Sequence, residues 1–256
     1  MSAVLPLPDL PASRIADDGS AVVRVLSYNI RSLRDDLGAL ARIVRACAPD
    51  VVCVQEAPRF FRWRKAAARL ATATDLVYVT GGATACGPMV LAPLRAHVEH
   101  TEDLLLPRRP GLHQRGLATA VLRFGRTARL GVVSCHLSVN VEERLAQGRL
   151  ILRQLEKQGA PHAVVAGDLN DRPDGRTFRL LAGELQDGWT TAPWGREHTT
   201  RLGDPEQRID AVFATRGVEV LGCGVPMGLP GVTEADLRAA TDHLPVLAAL
   251  RVPAAG

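Results

Sequence analysis

Lysine is almost missing from this chain: only Lys65 and Lys157 occur, against 29 arginines in 256 residues. Aromatic residues are also scarce, at 4%. An arginine- and alanine-rich chain is explained by codon usage as readily as by a polyanionic partner. No long basic run occurs, so the net charge of +4 is weak support for nucleic-acid binding on its own. No stretch approaches the ~20 apolar residues that a membrane helix needs. The opening residues hold three prolines and no early basic residue, and do not read as a signal peptide. Cysteine is limited to Cys47, Cys53, Cys86, Cys135 and Cys223. An odd number without C-x-x-C spacing argues against a disulfide framework and against a zinc site. Cys53 and Cys135 stand inside apolar runs and read as small core residues. These absences lead us to expect a cytoplasmic monomer, with residues 1–20 a flexible tail and residues 21–254 a single domain.

What is present is an alternation of short apolar runs with helical patterns. Strand-like runs fall at 21–28, 50–55, 76–80, 89–92, 118–124, 129–135, 162–167, 208–215, 218–223 and 245–252. Helical spacing falls at 35–48, 58–72 and 142–157, and residues 183–207 read as loops. Gly125, between two runs, marks a hairpin. Hairpins mixed with strand–helix–strand units predict a mixed α/β layered domain rather than an all-parallel one.

Polar residues recur where these runs end. "LSYN" delivers Asn29, "VVCVQE" delivers Glu56, "VVSCH" delivers His136 and "VVAGDLN" delivers Asp168 and Asn170. Asp210 lies in "RIDAVF", and Asp242 and His243 precede the last run. Each alone has an ordinary explanation as a turn, cap or solvated strand end. Together, strands ending side by side would crowd carboxylates, which repel unless a cation neutralises them. Asn, Asp and Glu oxygens are hard donors suited to Mg²⁺ or Mn²⁺. Two histidines then add a hydrogen-bond donor and a proton carrier for a phosphate ester.

The order of these blocks, with "GDLN", then "RID", then a closing "TDHLPV", resembles the metal-dependent endonuclease/exonuclease/phosphatase superfamily, and the likeness runs from Asn29 to His243. The resemblance implies a DNase I-like four-layer α/β sandwich, with two mixed β-sheets face to face and helices outside. It implies Glu56 as principal Mg²⁺ (or Mn²⁺) ligand with Asn29 and Asp242 nearby. Asp168 and Asn170 would orient the attacking water, Asp210 would hold His243, and His136 would contact the phosphate. Cys135, pointing the other way along the same strand, reads as core rather than nucleophile. Arg115 resembles a substrate-contacting position. Arg144 and Gln147 share a predicted helix face, read either as substrate-facing or as solvated.

Departures from the family pattern bear on the branch. Arg31 stands where the abasic-site endonuclease branch has Asp, and "CGPMVL" stands where many members read Gly-Asn-Ala. "RFFRWRK" (59–65) is basic and aromatic together, read either as a backbone-binding patch or as a helix half in the core. The expected function is hydrolysis of a phosphate mono- or diester carried by a small molecule, lipid head group or nucleic acid. The alternatives are a DNA or RNA nuclease of the same superfamily and a catalytically inactive phosphate-binding module.

Overall fold

The computed structural model describes residues 7–255; the first six residues of the expected tail, and Gly256, lie outside the described residues. Along the chain run β1 (Arg14–Ile15), β2 (Ala21–Asn29), α1 (Leu37–Cys47), β3 (Val51–Gln55), α2 (Trp63–Thr74), β4 (Val77–Gly81), β5 (Met89–Ala92), β6 (His97–Leu105), β7 (Gly116–Phe124) and β8 (Ala128–His136). There follow α3 (Val141–Gln158), β9 (Ala163–Asp168), α4 (Arg176–Glu184), β10 (Gln186–Asp187), α5 (Gly188–Thr191), β11 (Asp210–Ala214), β12 (Glu219–Gly224), α6 (Glu234–Ala240) and β13 (Val246–Val252).

The strands form two mixed sheets. One has the order β12-β13-β2-β3-β5-β4, with β1 added beside β2; the other is β10-β11-β9-β8-β7-β6. Each sheet has a single parallel pair among the described strands, β2 with β3 and β8 with β9, each joined by a helix. All other pairs are antiparallel.

Alternation along the strands sorts side chains into three apolar clusters, and three interfaces make four layers. Val23, Val25, Val51, Leu130, Val132, Val164 and Val212 meet between the sheets. Leu26, Tyr28, Val52 and Val54 face the other way, against α1, α2 and α6. Val133, Cys135, Val165 and Phe213 face α3 and α4. The result is the four-layer α/β sandwich that the family resemblance implied. Among the described residues, no helix is long and apolar enough to cross a membrane.

Two expectations are corrected. Residues 7–20 lie along the domain rather than hanging loose. Leu10 is buried, Arg14–Ile15 pairs with β2, Ser13 donates to Asp50, and Asp9 bridges Arg24 at 2.8 Å. The helix expected over 58–72 begins only at Trp63, because Arg62 is left-handed (φ 57°) and stops the first turn there. That leaves 57–62 as a loop, with Phe60 and Phe61 exposed.

Leu10→Ala should therefore cost about 2–4 kcal/mol, as for a buried leucine, in a urea melt. A loss near zero would return this segment to a loose tail.

Candidate active site

The same alternation that fills the core delivers the site. Continued to the strand ends, the inward-facing positions are Asn29 on β2, His136 on β8, Asp168 on β9 and Asp210 on β11. They sit at one common edge of the space between the sheets, because both parallel pairs end there. Register places His136 opposite Asp168 and Asp168 opposite Asp210, a row of three ionisable residues across adjacent strands. Gly167, just before Asp168, permits the close approach of β8: a Cβ there would lie 2.0 Å from the Cys135 carbonyl oxygen.

Asn29 bridges the sheets. Its Nδ2 donates to Glu56 Oε1 at 3.3 Å and to Asp168 Oδ2 at 3.1 Å, while its Oδ1 accepts the Arg31 N–H at 3.1 Å. With its oxygen so engaged, Asn29 acts on the two acids as a donor. Glu56 follows β3 in a left-handed conformation (φ 52°), a cost that a non-glycine residue accepts where the surroundings hold it. Its carbonyl accepts the Ser32 N–H at 2.8 Å, and the next N–H, of Ala57, donates to Gly87 at 2.9 Å. Asn170 is also left-handed (φ 49°), which asparagine tolerates. Its N–H donates to Asp168 Oδ1 at 2.9 Å, and its Nδ2 to the Leu137 carbonyl at 2.9 Å.

The two histidines have opposite electrostatic fates. His136 is buried, and burial pushes its pKa down to about 4; Arg115, His243 and Arg59 add to this, and Asp168 opposes. For His243 burial also disfavours charge, but Asp210, Asp168 and Asp242 together outweigh it and push the pKa up to about 10. His243 Nδ1 lies 3.0 Å from Asp210 Oδ2, and Nε2 of each ring approaches Asp168 Oδ2, at 3.4 Å for His136 and 3.8 Å for His243. Thr199, missed by sequence reasoning, ties this pair in place. Its hydroxyl oxygen accepts the N–H groups of Ile209 and Asp210 at 3.1 Å each, and its carbonyl accepts the Leu244 N–H at 2.7 Å. Nothing in its surroundings in sequence signals that role.

Glu56, His136, Asp168, Asn170, His243 and Arg115 line one cleft of about 440 Å³. Arg115 has a buried Nε without a hydrogen-bond partner, and burial lowers its pKa below the usual arginine range, with Asp168 and Glu56 opposing. Asp242 sits beside the cleft, its Oδ2 3.2 Å from Arg31 Nε. Arg144 is not brought to the cleft, against the substrate-facing expectation. It is buried, bonding the Ser138 and Val139 carbonyls at 3.0 Å each and Asp171 at 3.1 Å. Gln147 likewise accepts the Ser138 N–H at 2.8 Å. Both residues hold the loop after His136. Asp171, another residue the sequence did not single out, also accepts the Thr177 and Phe178 N–H groups at 2.9 and 3.2 Å, capping α4. Cys135 faces the outer helices, and burial raises its thiol pKa well above the ordinary range, as suits a core residue.

A divalent ion fits the oxygen side of this cleft better than the histidine side. Asp168, Asp210 and His243 offer ligand atoms within 4.8 Å of one another. However, His243 is charged near neutrality, so its Nε2 carries a proton and has no lone pair for a metal. Glu56 is a cleft-lining acid whose carboxylate makes one long hydrogen bond among the described residues. With buried Asp168 behind it, this is a hard-donor setting.

A family model described as "Endonuclease/Exonuclease/phosphatase family" matches residues 26–243. The chain belongs to this family, whose members are hydrolases acting on phosphoester bonds. No curated protein sequence matches it. Solved structures share the fold. An endonuclease/exonuclease/phosphatase from Bacteroides vulgatus is 20% identical, with TM-score 0.74, over 90% of this chain and 99% of the other. The mannosyl-6-phosphatase Bt3783 of Bacteroides thetaiotaomicron is 17% identical, with TM-score 0.71, over 89% and 99%. D. rerio TDP2 complexed with a single-strand DNA product is 19% identical, with TM-score 0.68, over 90% and 98%.

Two outcomes are expected. In metal-free protein, NMR of the ring nitrogens at pH 7 should show His136 neutral and His243 charged; two rings titrating together near 6.5 would contradict the geometry. Linkage gives the signs. The raised pKa of His243 contributes stability that is complete below about pH 6.5 and is lost as pH rises through about 10. The depressed pKa of His136 contributes a loss of stability as pH falls from 6.5 toward 4. Separately, Asp171→Ala should destabilise by about 3–5 kcal/mol in chemical denaturation, because it leaves the Arg144 guanidinium buried without its partner.

Proposed function

We propose that the chain is a divalent-metal-dependent phosphoesterase that hydrolyses a phosphate mono- or diester by in-line attack of water. The observation that carries this reading is a buried carboxylate, Asp168, set between one neutral and one charged histidine at the floor of an acid-lined cleft. Asp168 accepts the proton of the attacking water, and the Asn170 N–H bond to its other oxygen keeps it oriented. His243, charged and held by Asp210, donates to a phosphoryl oxygen or to the leaving group. His136, neutral at the same floor, supplies a second hydrogen bond to the phosphoryl group. Arg115 lines the same cleft and supplies positive charge for an anionic substrate. Glu56 and Asp242 would hold Mg²⁺ or Mn²⁺, with Asn29 fixing Glu56 against Asp168. Bound there, the ion would offset charge developing on the phosphoryl oxygens.

The structural relatives do not select the substrate. One is named as a phosphatase of a sugar phosphate and another holds a DNA product, and identities under 25% carry the fold alone. An inactive binding module is the weaker reading, because every matched acid and histidine is present in the sequence.

Glu56→Ala should abolish Mg²⁺- or Mn²⁺-dependent hydrolysis of bis-p-nitrophenyl phosphate and weaken Mn²⁺ binding measured by calorimetry. His243→Ala should lower the rate by about 10²–10⁴-fold with the fold intact. EDTA-resistant turnover, or a near-wild-type rate in either variant, would refute this site.

A further inference from the structure

Three of the five phenylalanines are buried: Phe124, Phe178 and Phe213 are 3%, 2% and 0% exposed. The other two stand side by side on the 57–62 loop, Phe60 at 78% and Phe61 at 88% exposed. Phe60 lines the cleft mouth. On another stretch of the mouth is Val139, 66% exposed, followed by Val141 at 44%. The 107–115 segment, which brings Arg115 to the cleft, is tied to this loop: Glu143 Oε1, in the first turn of α3, accepts the Arg109 N–H at 2.9 Å. Apolar side chains and arginines therefore ring one opening.

The charge of the ring is predominantly positive, because Glu142 and Glu143 beside Val141 are engaged by Arg176 and by the Arg109 N–H. Residues 57–65 hold Arg59, Arg62, Arg64 and Lys65 and no acid; residues 107–115 hold Arg108, Arg109 and Arg115 and no acid. The Arg59 guanidinium sits over the Phe60 ring at 5.2 Å, and that of Arg62 over Phe61 at 5.0 Å. This pairs each exposed apolar ring with a flexible cation that can stay in water while the ring leaves it.

We propose that this rim docks the cleft mouth on an anionic lipid surface, with Phe60 and Phe61 entering the acyl boundary and Arg59, Arg62, Arg108 and Arg109 meeting head-group phosphates. Two features favour a lipid surface over a nucleic-acid strand. Each phenylalanine already has one face under a guanidinium, and aliphatic Val139 and Val141 stand exposed after His136, before and at the start of α3. Valine cannot stack a base, whereas an apolar medium takes either side chain. The excess of positive charge on the 57–65 and 107–115 segments matches the negative potential of an anionic leaflet. Resting on the phosphoesterase reading, the consequence is a substrate whose phosphate ester is presented at that surface.

The test is co-sedimentation, in EDTA so that turnover plays no part, with vesicles of phosphatidylcholine alone or with a third of phosphatidylglycerol. The wild-type chain should pellet with the anionic vesicles and release at high salt. Phe60→Ser/Phe61→Ser should lower the partition about tenfold or more, since two buried rings are lost. Both side chains are exposed, so the variant should melt with the wild type. As a second measurement on a chain that keeps its aromatic, Phe61→Trp should be quenched by lipid brominated on its chains. Equal partition of the wild type and double variant, or an unquenched tryptophan, would overturn the proposal. So would single-stranded oligonucleotide binding that is lost in the double variant while wild type ignores vesicles. Because binding is read without metal, a failure of the hydrolysis assay and a failure of docking remain separate results.

Discussion

One carboxamide joins the two halves of this protein where they matter most. Asn29 belongs to one sheet and donates across the interface to Asp168 of the other, while its second N–H holds Glu56 on its own sheet. Two acids of like charge are thereby kept close by a donor rather than pushed apart. Behind it, Ser134 donates to the Val54 carbonyl at 3.0 Å, another polar tie between the sheets. Buried donors and acceptors of this kind are costly unless satisfied, so the sheets have one favourable alignment at this edge.

The electrostatics follow from that alignment. His243 gains its charge from the acids collected around it, and His136 loses it to burial beside Arg115, although both rings face the same Asp168. Supporting pairs work outside the cleft. Arg144 and Asp171 are almost wholly buried, and between them they secure the loop after His136 and the first turn of α4. Thr199 does the same for Asp210 and His243. The acids and histidines of the cleft are thus held by residues that do not line it.

Much of this was legible in the sequence, and the illegible parts share a cause. Buried strands such as Val51–Gln55 and Ala163–Asp168 announce themselves through β-branched runs that end on polar residues, and those ends line the candidate site. His97–Leu105 was missed because it is an edge strand, largely exposed, with no apolar alternation to read. Helices Arg176–Glu184 and Glu234–Ala240 were missed because they are short; the first relies on Asp171, whose capping role depends on a fold not yet formed. Arg144 could be placed on a helix face from spacing alone, but which way that face points is a tertiary fact. The segment 7–20 was read as loose because proline-rich sequence carries no periodicity, yet Leu10 and the Asp9–Arg24 pair anchor it.

The row formed by His136, Asp168 and Asp210 has an implication for how such a protein can change. Adjacent strands are spaced about 4.8 Å apart by backbone hydrogen bonding, whatever their side chains. The separations among these three groups are therefore set by a peptide lattice common to the whole sheet, much as marks on a ruler are set by the rule. Loops around the mouth can lengthen, shorten or change composition without disturbing that scale. A chain built this way can be reassigned from one phosphate ester to another by rewriting its rim, with the reactive groups left at their original pitch.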